Sequence, residues 1–506
     1  RRGDRPHAIH HHRDAASGRE IIDIFSSDKP FIVDSILAAL RAKGVGLELF
    51  ANPVVTLDAR SGAILDRPAE EARRESVVHI ELDPLPTTEA TEALIAELDA
   101  VLTDVALAVR DWRPILARLR AAIDDLGANP PASDAATLAE DLHFLGWLAE
   151  NNFTFLGLRD YDLVGEGPSA ELRPAPGSGL GILSDPDFRF LRSGPHYVEM
   201  TPQHVVFLAQ SDPLLVTKAN LRARVHRRAH MDYVGIKRFG PDGDVVGETR
   251  IVGLFTSMAL ATPNSEVPLV RRKIAEVMAR SGLDPNGHDG KALMAALETY
   301  PRDELFQIST DQLAEYAALI AGLAERPRLR VLPRIDRFDN FVSILVYIPR
   351  DRYTSEIRAL AGEHLAGRYE GRVSAYYPHF PEGDLVRVHY IIGRNGGPTP
   401  TPDRLALEQE LAALTRSFAD RLLAVAPDPE KIIAYAHAFP PAYQARWAPE
   451  DALADIATLE RLEPGRAIAV RLAATTGEDG ALSLRVYHRQ TPIPLSDRVP
   501  LLENFG

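Results

Sequence analysis

The stretch from Glu20 to Asp58 changes hydrophobic period twice, and few folds accept such a pattern. EIIDIFSS alternates apolar and polar side chains as a strand does. A turn follows at Ser27-Asp28-Lys29-Pro30, and Ile32, Val33, Ile36, Leu37 and Leu40 then fall at helical spacing. Asp28 is placed to cap that helix, Pro30 lies in its first turn, and Gly44 stops it before a strand resumes. One apolar helical face calls for a sheet beneath it. A further strand, SVVHIELDPL, follows Arg74, and Thr87 to Asp104 reads as a second helix. Four short strands with two helices on one face make a ferredoxin-like α+β sandwich.

The 506 residues suffice for about three to five such units. The segment Trp112 to Leu126 reads as helix, GANPPASD as a linker, and a helix from Thr137 to Asn151 leads into the strand FTFLGLRDYDLV. From there to Ser257 the signals are mostly β: GLGILSD, HYVEMT, HVVFLAQS, LLVTKANL, MDYVGIKRF and VVGETRIVGLFTS, the last two joined by Gly240-Pro241-Asp242-Gly243. That predicts a larger, mainly antiparallel sheet, PAS-like or a second elaborated sandwich. Helices dominate from Val267 to Glu325. RLRVLPRI, FVSILVYIP, TSEIRALAGEHLAG, RVSAYYPHF and LVRVHYIIG then give β-β-α-β-β, another sandwich. GGPTPTP marks a boundary, the chain from 403 to 463 is helical, Arg466 to Val486 is a hairpin, and Thr491 to Gly506 opens a helix as the first unit did. The expected division is a first sandwich with a trailing helix (1–126), a β-rich unit (135–266), a helical connector (267–326), an α+β unit (327–397), a helical unit (403–464) and the start of a further sandwich (465–506). Arg1, in place of a methionine, and the helical start running out at Gly506 both read as cuts.

A net charge of −14 argues against a general nucleic-acid binder, since phosphate contact needs the opposite field. No apolar run approaches the roughly 18 residues that a membrane span requires. The absence of cysteine removes disulfides and thiol chemistry and suits a cytoplasmic protein. His10, His11 and His12 are adjacent, a spacing that does not point three rings at one ion, so no metal is assigned. GSGLGI, from Gly177 to Ile182, has its third glycine one place early for a dinucleotide fingerprint and reads as a turn before a strand. HDGKA, from His288 to Ala292, lacks the first glycine and the hydroxyl residue of a phosphate loop and reads as a helix start. Hydrolase, zinc-protease and calcium-loop patterns do not occur.

One cluster of cations stands out: Lys218, Arg222, Arg224, His226, Arg227, Arg228 and His230 precede Tyr233, Lys237 and Arg238. If RARVHRRAH is a strand, Arg222, Arg224, His226 and Arg228 share one face. Such a face suits a carboxylate, a phosphate or an acidic partner. It equally suits a solvated strand or an interdomain salt-bridge network with the surplus acids, and both readings stay open.

Long strings spread over the whole chain carry a resemblance. ESVVHIEL, LGWLAENNFTFLGLRDYDL, RVHRRAHMDYVGIKRF, GETRIVGLFTS, LVRRKIAEVMARSGLDPNGHDGKAL, ETYPRDELFQ, VYIPRDRY and TPIPLSDRVPLLENFG resemble the large, NAD-specific bacterial glutamate dehydrogenases. The resemblance implies the N-terminal regulatory segment of a longer subunit, built from ACT-like and PAS-like modules with helical connectors. The catalytic lysine and aspartate and the NAD-binding fold would lie beyond Gly506, so no catalytic or cofactor-binding residue is carried over and the segment is expected to be inactive alone. ACT modules that bind amino acids have Asp-x-Pro-Gly in the first loop. Here Asp28, Lys29, Pro30 and Gly44 match an effector site, while Phe31 stands in the glycine's place. The implied partners are a second copy of the chain in a homo-oligomer, the enzyme's own catalytic domain and an amino-acid effector, with neither nucleic acid nor membrane. Two other readings are a scaffold without a ligand and an independent binding module for anions or nucleic acid.

Overall fold

The computed structural model describes residues 5–58, 63–65, 72–131, 134–165, 170–188, 191–193, 196–198, 202–336, 341–394, 397–463, 467–474 and 482–489. Beyond these it describes only positions 494, 496, 499, 500 and 503. The α+β class expected from the sequence holds, with several antiparallel sheets separated by helices.

The first sheet contains β1 (His7–Arg13), β2 (Glu20–Ser27), β3 (Leu47–Ala51), β4 (Val54–Asp58) and β5 (Ala72–Leu82), in the order β1-β2-β5-β3 with β4 also on β5. The His-rich lead-in is thus a full edge strand, in register from His7 opposite Ser26 to Arg13 opposite Glu20. Helix α1 (Ile32–Lys43) lies on this sheet, and Ile32, Ile36 and Leu40 are buried with Ile22, Ile24, Val78 and Ile80 in one core.

Helix α2 (Thr88–Ala128) is one helix of 41 residues where the sequence suggested two. Pro114 and the polar run before it interrupt the apolar pattern, and an interior proline costs about 3 kcal/mol. Burial on either side offsets that cost. Leu94, Leu98, Val101 and Val105 pack under the first sheet, and Ile115, Leu119, Ala122 and Leu126 pack under the second. At about 1.5 Å per residue the helix is a spine joining both.

After α3 (Ala135–Trp147) the second sheet comprises β6 (Phe153–Val164), β7 (Glu171–Pro174), β8 (Leu180–Gly181), β11 (Leu214–Arg222), β12 (His230–Phe239) and β13 (Val245–Phe255). Their order is β11-β12-β13-β6-β7, with β8 on β6. Both faces are covered: Met231, Tyr233 and Leu254 enter the core shared with the first sheet, and Val234, Ile236 and Ile251 enter another. A small pair, β9 (Leu191–Ser193) and β10 (His196–Val198), precedes α4 (Pro202–Ala209). HVVFLAQS, expected as a strand, belongs mainly to α4. Phe207 and Leu208 are adjacent and both buried while Val206 is exposed, so the pattern does not alternate, and Pro202 suits a first helical position.

The connector holds α5 (Ser257–Ala261), α6 (Val270–Ser281), α7 (His288–Thr299), α8 (Arg302–Gln307) and α9 (Thr310–Ala321). The third sheet, β14 (Arg330–Ile335), β15 (Phe341–Pro349), β16 (Gly371–His379) and β17 (Leu385–Arg394), runs β14-β15-β17-β16. One face packs on α10 (Ser355–Arg368) and α11 (Arg404–Leu414), the other on the connector. Helices α12 (Phe418–Val425), α13 (Pro429–Ile432), α14 (Pro441–Arg446) and α15 (Pro449–Glu460) follow, then the hairpin β18 (Ile468–Ala474) and β19 (Leu482–His488). The helix expected between Thr491 and Gly506 falls almost entirely outside the described residues. Among the described residues no helix is long and apolar enough to cross a membrane.

Candidate functional site

The first turn departs from its expected chemistry at each end. Asp28 does not cap α1: its N–H donates to the Arg74 carbonyl at 3.0 Å, and its carboxylate pairs with the Arg74 guanidinium at 3.0 Å. Lys29 is half-buried and Pro30 exposed, and both precede the helix. Phe31 occupies the N-cap position with φ 74° and ψ −6° and makes no side-chain cap. The turn therefore keeps the left-handed backbone that a glycine would adopt freely, and holds it with a phenylalanine at about 1–3 kcal/mol of strain. Gly44 also has positive φ, 66°, and closes the far end, where its N–H meets Arg41 and the next amide reaches Leu40. It sits about 20 Å along the helix from Phe31, so the two do not share one site.

RARVHRRAH is not a strand. β11 ends at Arg222 and β12 begins at His230, and between them the loop closes on itself through Ala223 N–H to Ala229 O at 2.8 Å. Ala223 and Val225 are buried in the core shared by the first two sheets, and the chain turns back beyond them instead of running on as a strand. The loop's crest, His226, is itself left-handed at φ 66°.

That crest lands on the first turn. The His226 N–H donates to Ser35 Oγ at 2.8 Å, Ser35 Oγ in turn donates to the Phe31 carbonyl at 2.5 Å, and the imidazole Nδ1 lies 3.3 Å from Asp34. The His226 and Phe31 rings are 5.3 Å apart. Beside it, Arg228 pairs with Glu97 of α2, and Arg224 lies 3.8 Å from Glu97 and 3.4 Å from Asp104. Burial alone would raise Glu97, but Arg228 and Arg224 outweigh it and hold this carboxyl below its ordinary range. Asp104 goes the other way, pushed up by burial that Arg224 only partly offsets. Arg227 donates to the Phe255 carbonyl at 2.8 Å, at the end of β13, and Arg222 leaves the group to donate to Ser374 of β16 at 2.7 Å.

Of the candidate residues, the structure gathers His226, Arg224 and Arg228 against α1 and α2 and sends Arg222 to the third sheet. Each has an intramolecular acceptor, a carboxylate for Arg224, His226 and Arg228 and a backbone carbonyl for Arg222. The sequence marked Phe31 only as standing in a glycine's place, and Asp34, Ser35, Glu97 and Asp104 were not singled out. No local signal marks them, because they acquire a role only through a loop distant in the chain.

A second polar assembly crosses from the second sheet to the third. Thr217 on β11 donates to Gln307 Oε1 at 3.2 Å, Arg334 on β14 donates to the same atom at 3.1 Å, and its guanidinium grips Glu304 of α8 at 2.6 and 3.0 Å. His389 on β17 lies 3.6 Å from Glu304 and 2.8 Å from Ser343 of β15. All six side chains are buried. Burial would raise the Glu304 carboxyl, yet Arg334 and His389 hold it far below its ordinary value. Lys218 adds a parallel link to Asp232 and to Asp303 at 3.0 Å. These bonds join the units and leave the carboxylate fully engaged.

The remaining motifs resolve structurally. Gly177 and Gly181 have positive φ in the turn around β8, and a Cβ at Gly181 would sit 2.1 Å from the Leu156 carbonyl. His288 begins α7. On β1, His11 turns to Glu20 at 2.5 Å while His10 stacks edge-on against Phe25 at 5.7 Å, so these two rings diverge. Among the described residues, His288, Asp289 and Glu325 have ligand atoms close enough for a metal, and all three are exposed.

Comparison with known proteins finds family models on five stretches of the chain. Models described as glutamate dehydrogenase ACT1 domain, helical motif 1, ACT2 domain, helical motif 2 and ACT3 domain match residues 7–98, 267–326, 330–419, 432–462 and 467–506. The NAD-specific glutamate dehydrogenase of Halomonas elongata is 34% identical over 97% of this chain, and that of Pseudomonas aeruginosa 30% over 96%. The Mycobacterium tuberculosis protein of that name is 26% identical over 98%. The chain spans 31% of the length of each of these relatives.

Proposed function

Because the chain belongs to the large NAD-specific glutamate dehydrogenase family, we propose that it is the N-terminal regulatory and oligomerisation segment of such an enzyme. The observation that carries the reading is the match of residues 7–98, 330–419 and 467–506 to three ACT domains interleaved with helical motifs. The complete protein would oxidise L-glutamate to 2-oxoglutarate and ammonium with NAD, on residues outside this segment. An amino-acid effector, or contact with another subunit, would favour one arrangement of the units and so bias a distant catalytic domain. Couplings of this kind typically amount to about 1–3 kcal/mol.

Self-association is supported by an exposed edge. β16 closes the third sheet and exposes Tyr376 and Tyr377, with Phe380 just beyond it, a surface of the kind that strand edges bury on pairing. A ligand-free scaffold is the second reading, favoured by the Phe31 ring and the His226 loop lying where the first turn would receive an effector.

Two measurements test this. Purified chain mixed with glutamate and NAD should produce no NADH, and production at the rate of a complete enzyme would make it catalytic in its own right. Sedimentation should show a concentration-dependent oligomer that Tyr376→Asp with Tyr377→Asp weakens; a monomer at all concentrations would remove the assembly role.

A further inference from the structure

We propose that the loop 223–229 is an internal latch: it occupies the turn before α1 in the first unit and, while seated, fastens that unit to the second sheet. The inference deepens the regulatory reading of the Asp28–Ser35 turn and rests on that reading for its biological use, though not for its geometry. Its side chains reach three different elements. His226 engages Asp34, Ser35 and Phe31 at the start of α1, Arg224 and Arg228 engage Glu97 and Asp104 on α2, Arg227 holds the end of β13, and neighbouring Arg222 holds β16.

The contact has the form of a latch rather than of a core. His226 is half-buried and Asp34 exposed, so the crest can leave without opening the hydrophobic interior, whereas Ala223 and Val225 at its base remain anchored. The Ser35 hydroxyl is the catch: it accepts from the His226 amide and donates to the Phe31 carbonyl. A molecule that engages the Phe31–Ser35 turn meets the loop there first and must displace it. Its departure unpairs Arg228 from Glu97, so the state of that turn is read on α2, the helix that joins the first two sheets. The seated loop thus acts as an autoinhibitory contact on that turn.

Trypsin reads the latch directly, because Arg224, Arg227 and Arg228 are cleavage points within it. The seated loop resists cleavage at these positions. Ser35→Ala combined with His226→Asn, which keeps a residue tolerant of positive φ, is expected to speed cleavage there about tenfold while other sites are cut as before. In the unaltered chain, the His226 amide is expected to exchange with solvent far more slowly than a free loop amide. Equal cleavage rates, or an unprotected His226 amide in the unaltered chain, would overturn the latch; the exchange measurement decides alone if the double variant fails to fold. Adding single amino acids to the unaltered chain separates the two proposals. Accelerated cleavage supports both, while acceleration in the variant only supports the latch and removes the amino-acid effector from this turn.

Discussion

Phe31 and His226 meet as two left-handed residues, with φ of 74° and 66° and rings 5.3 Å apart, one from the turn before α1 and one from the loop between β11 and β12. Neither conformation is favourable for a side chain with a Cβ, so the contact and its hydrogen bonds hold both in place. That gives the position an unusual mutational order. Phe31→Ala loses the ring and keeps the backbone strain, whereas Phe31→Gly loses the ring and relieves it. Urea denaturation should find the glycine variant more stable than the alanine variant by about 1 kcal/mol. The usual order, with alanine the more stable, would mean that the turn is not left-handed in solution.

The Glu304–Arg334 pair predicts a large loss. Glu304→Leu leaves a buried guanidinium without its carboxylate, and breaking one side of such a pair costs about 3–5 kcal/mol. Because Glu304 is held far below its ordinary 4.5, its contribution is complete above that pH and is lost progressively as the pH falls below it. Melting midpoints measured from pH 7 down to pH 3 should fall more steeply for the unaltered chain than for Glu304→Leu.

Asp141 on α3 has the opposite sign. It is buried, its Oδ2 has no hydrogen-bond partner among the described residues, and burial pushes its carboxyl up to about 7. Nearby Asp212, Glu140 and Asp134 add to the shift and Arg272 opposes it. Between the ordinary 3.8 and about 7 the folded chain holds a proton that the unfolded chain has released, so this residue's contribution to stability declines as pH rises through that window. Asp141→Asn removes the dependence and should raise stability at pH 8 by about 1–3 kcal/mol, measured by denaturant unfolding. No gain at pH 8 would mean that the carboxylate is solvated.

Lys273 on α6 donates to the carbonyls of Leu305, Phe306 and Ile308 at 2.8, 3.1 and 2.9 Å, closing the end of α8. Lys273→Met keeps much of the stem's packing and removes all three bonds. The expected cost is about 2–3 kcal/mol, together with faster amide exchange across Glu304 to Ile308.

How much of this was legible depended on the range of the forces involved. The β-α-β opening and the third sandwich were readable because a strand and a helix write their periods into adjacent residues. The spine α2 was misread as two helices because Pro114 broke a pattern that packing against two sheets restores. HVVFLAQS was misread because its β-branched pair suits a strand in isolation, while burial of Phe207 beside Leu208 requires a helix. The cations of RARVHRRAH were visible, but their alternation suggested a strand face, whereas the stretch closes as a loop from Ala223 to Ala229 with a left-handed His226 at its crest. Asp28 offered a cap by its residue type, and Arg74 on the neighbouring strand took it instead. That His226 would seat on Ser35 was beyond local reasoning, since nothing in either stretch encodes the other.

The measurement that bears most directly on the regulatory account is thermal unfolding of this chain against a panel of single amino acids, run beside the Ser35→Ala, His226→Asn variant. The account predicts that one amino acid raises the midpoint, by an amount equivalent to about 2.7 kcal/mol at 100 times its dissociation constant, and raises it further in the variant, where no latch competes. A panel in which no amino acid moves the midpoint of either protein would contradict it and leave the chain as an assembly scaffold.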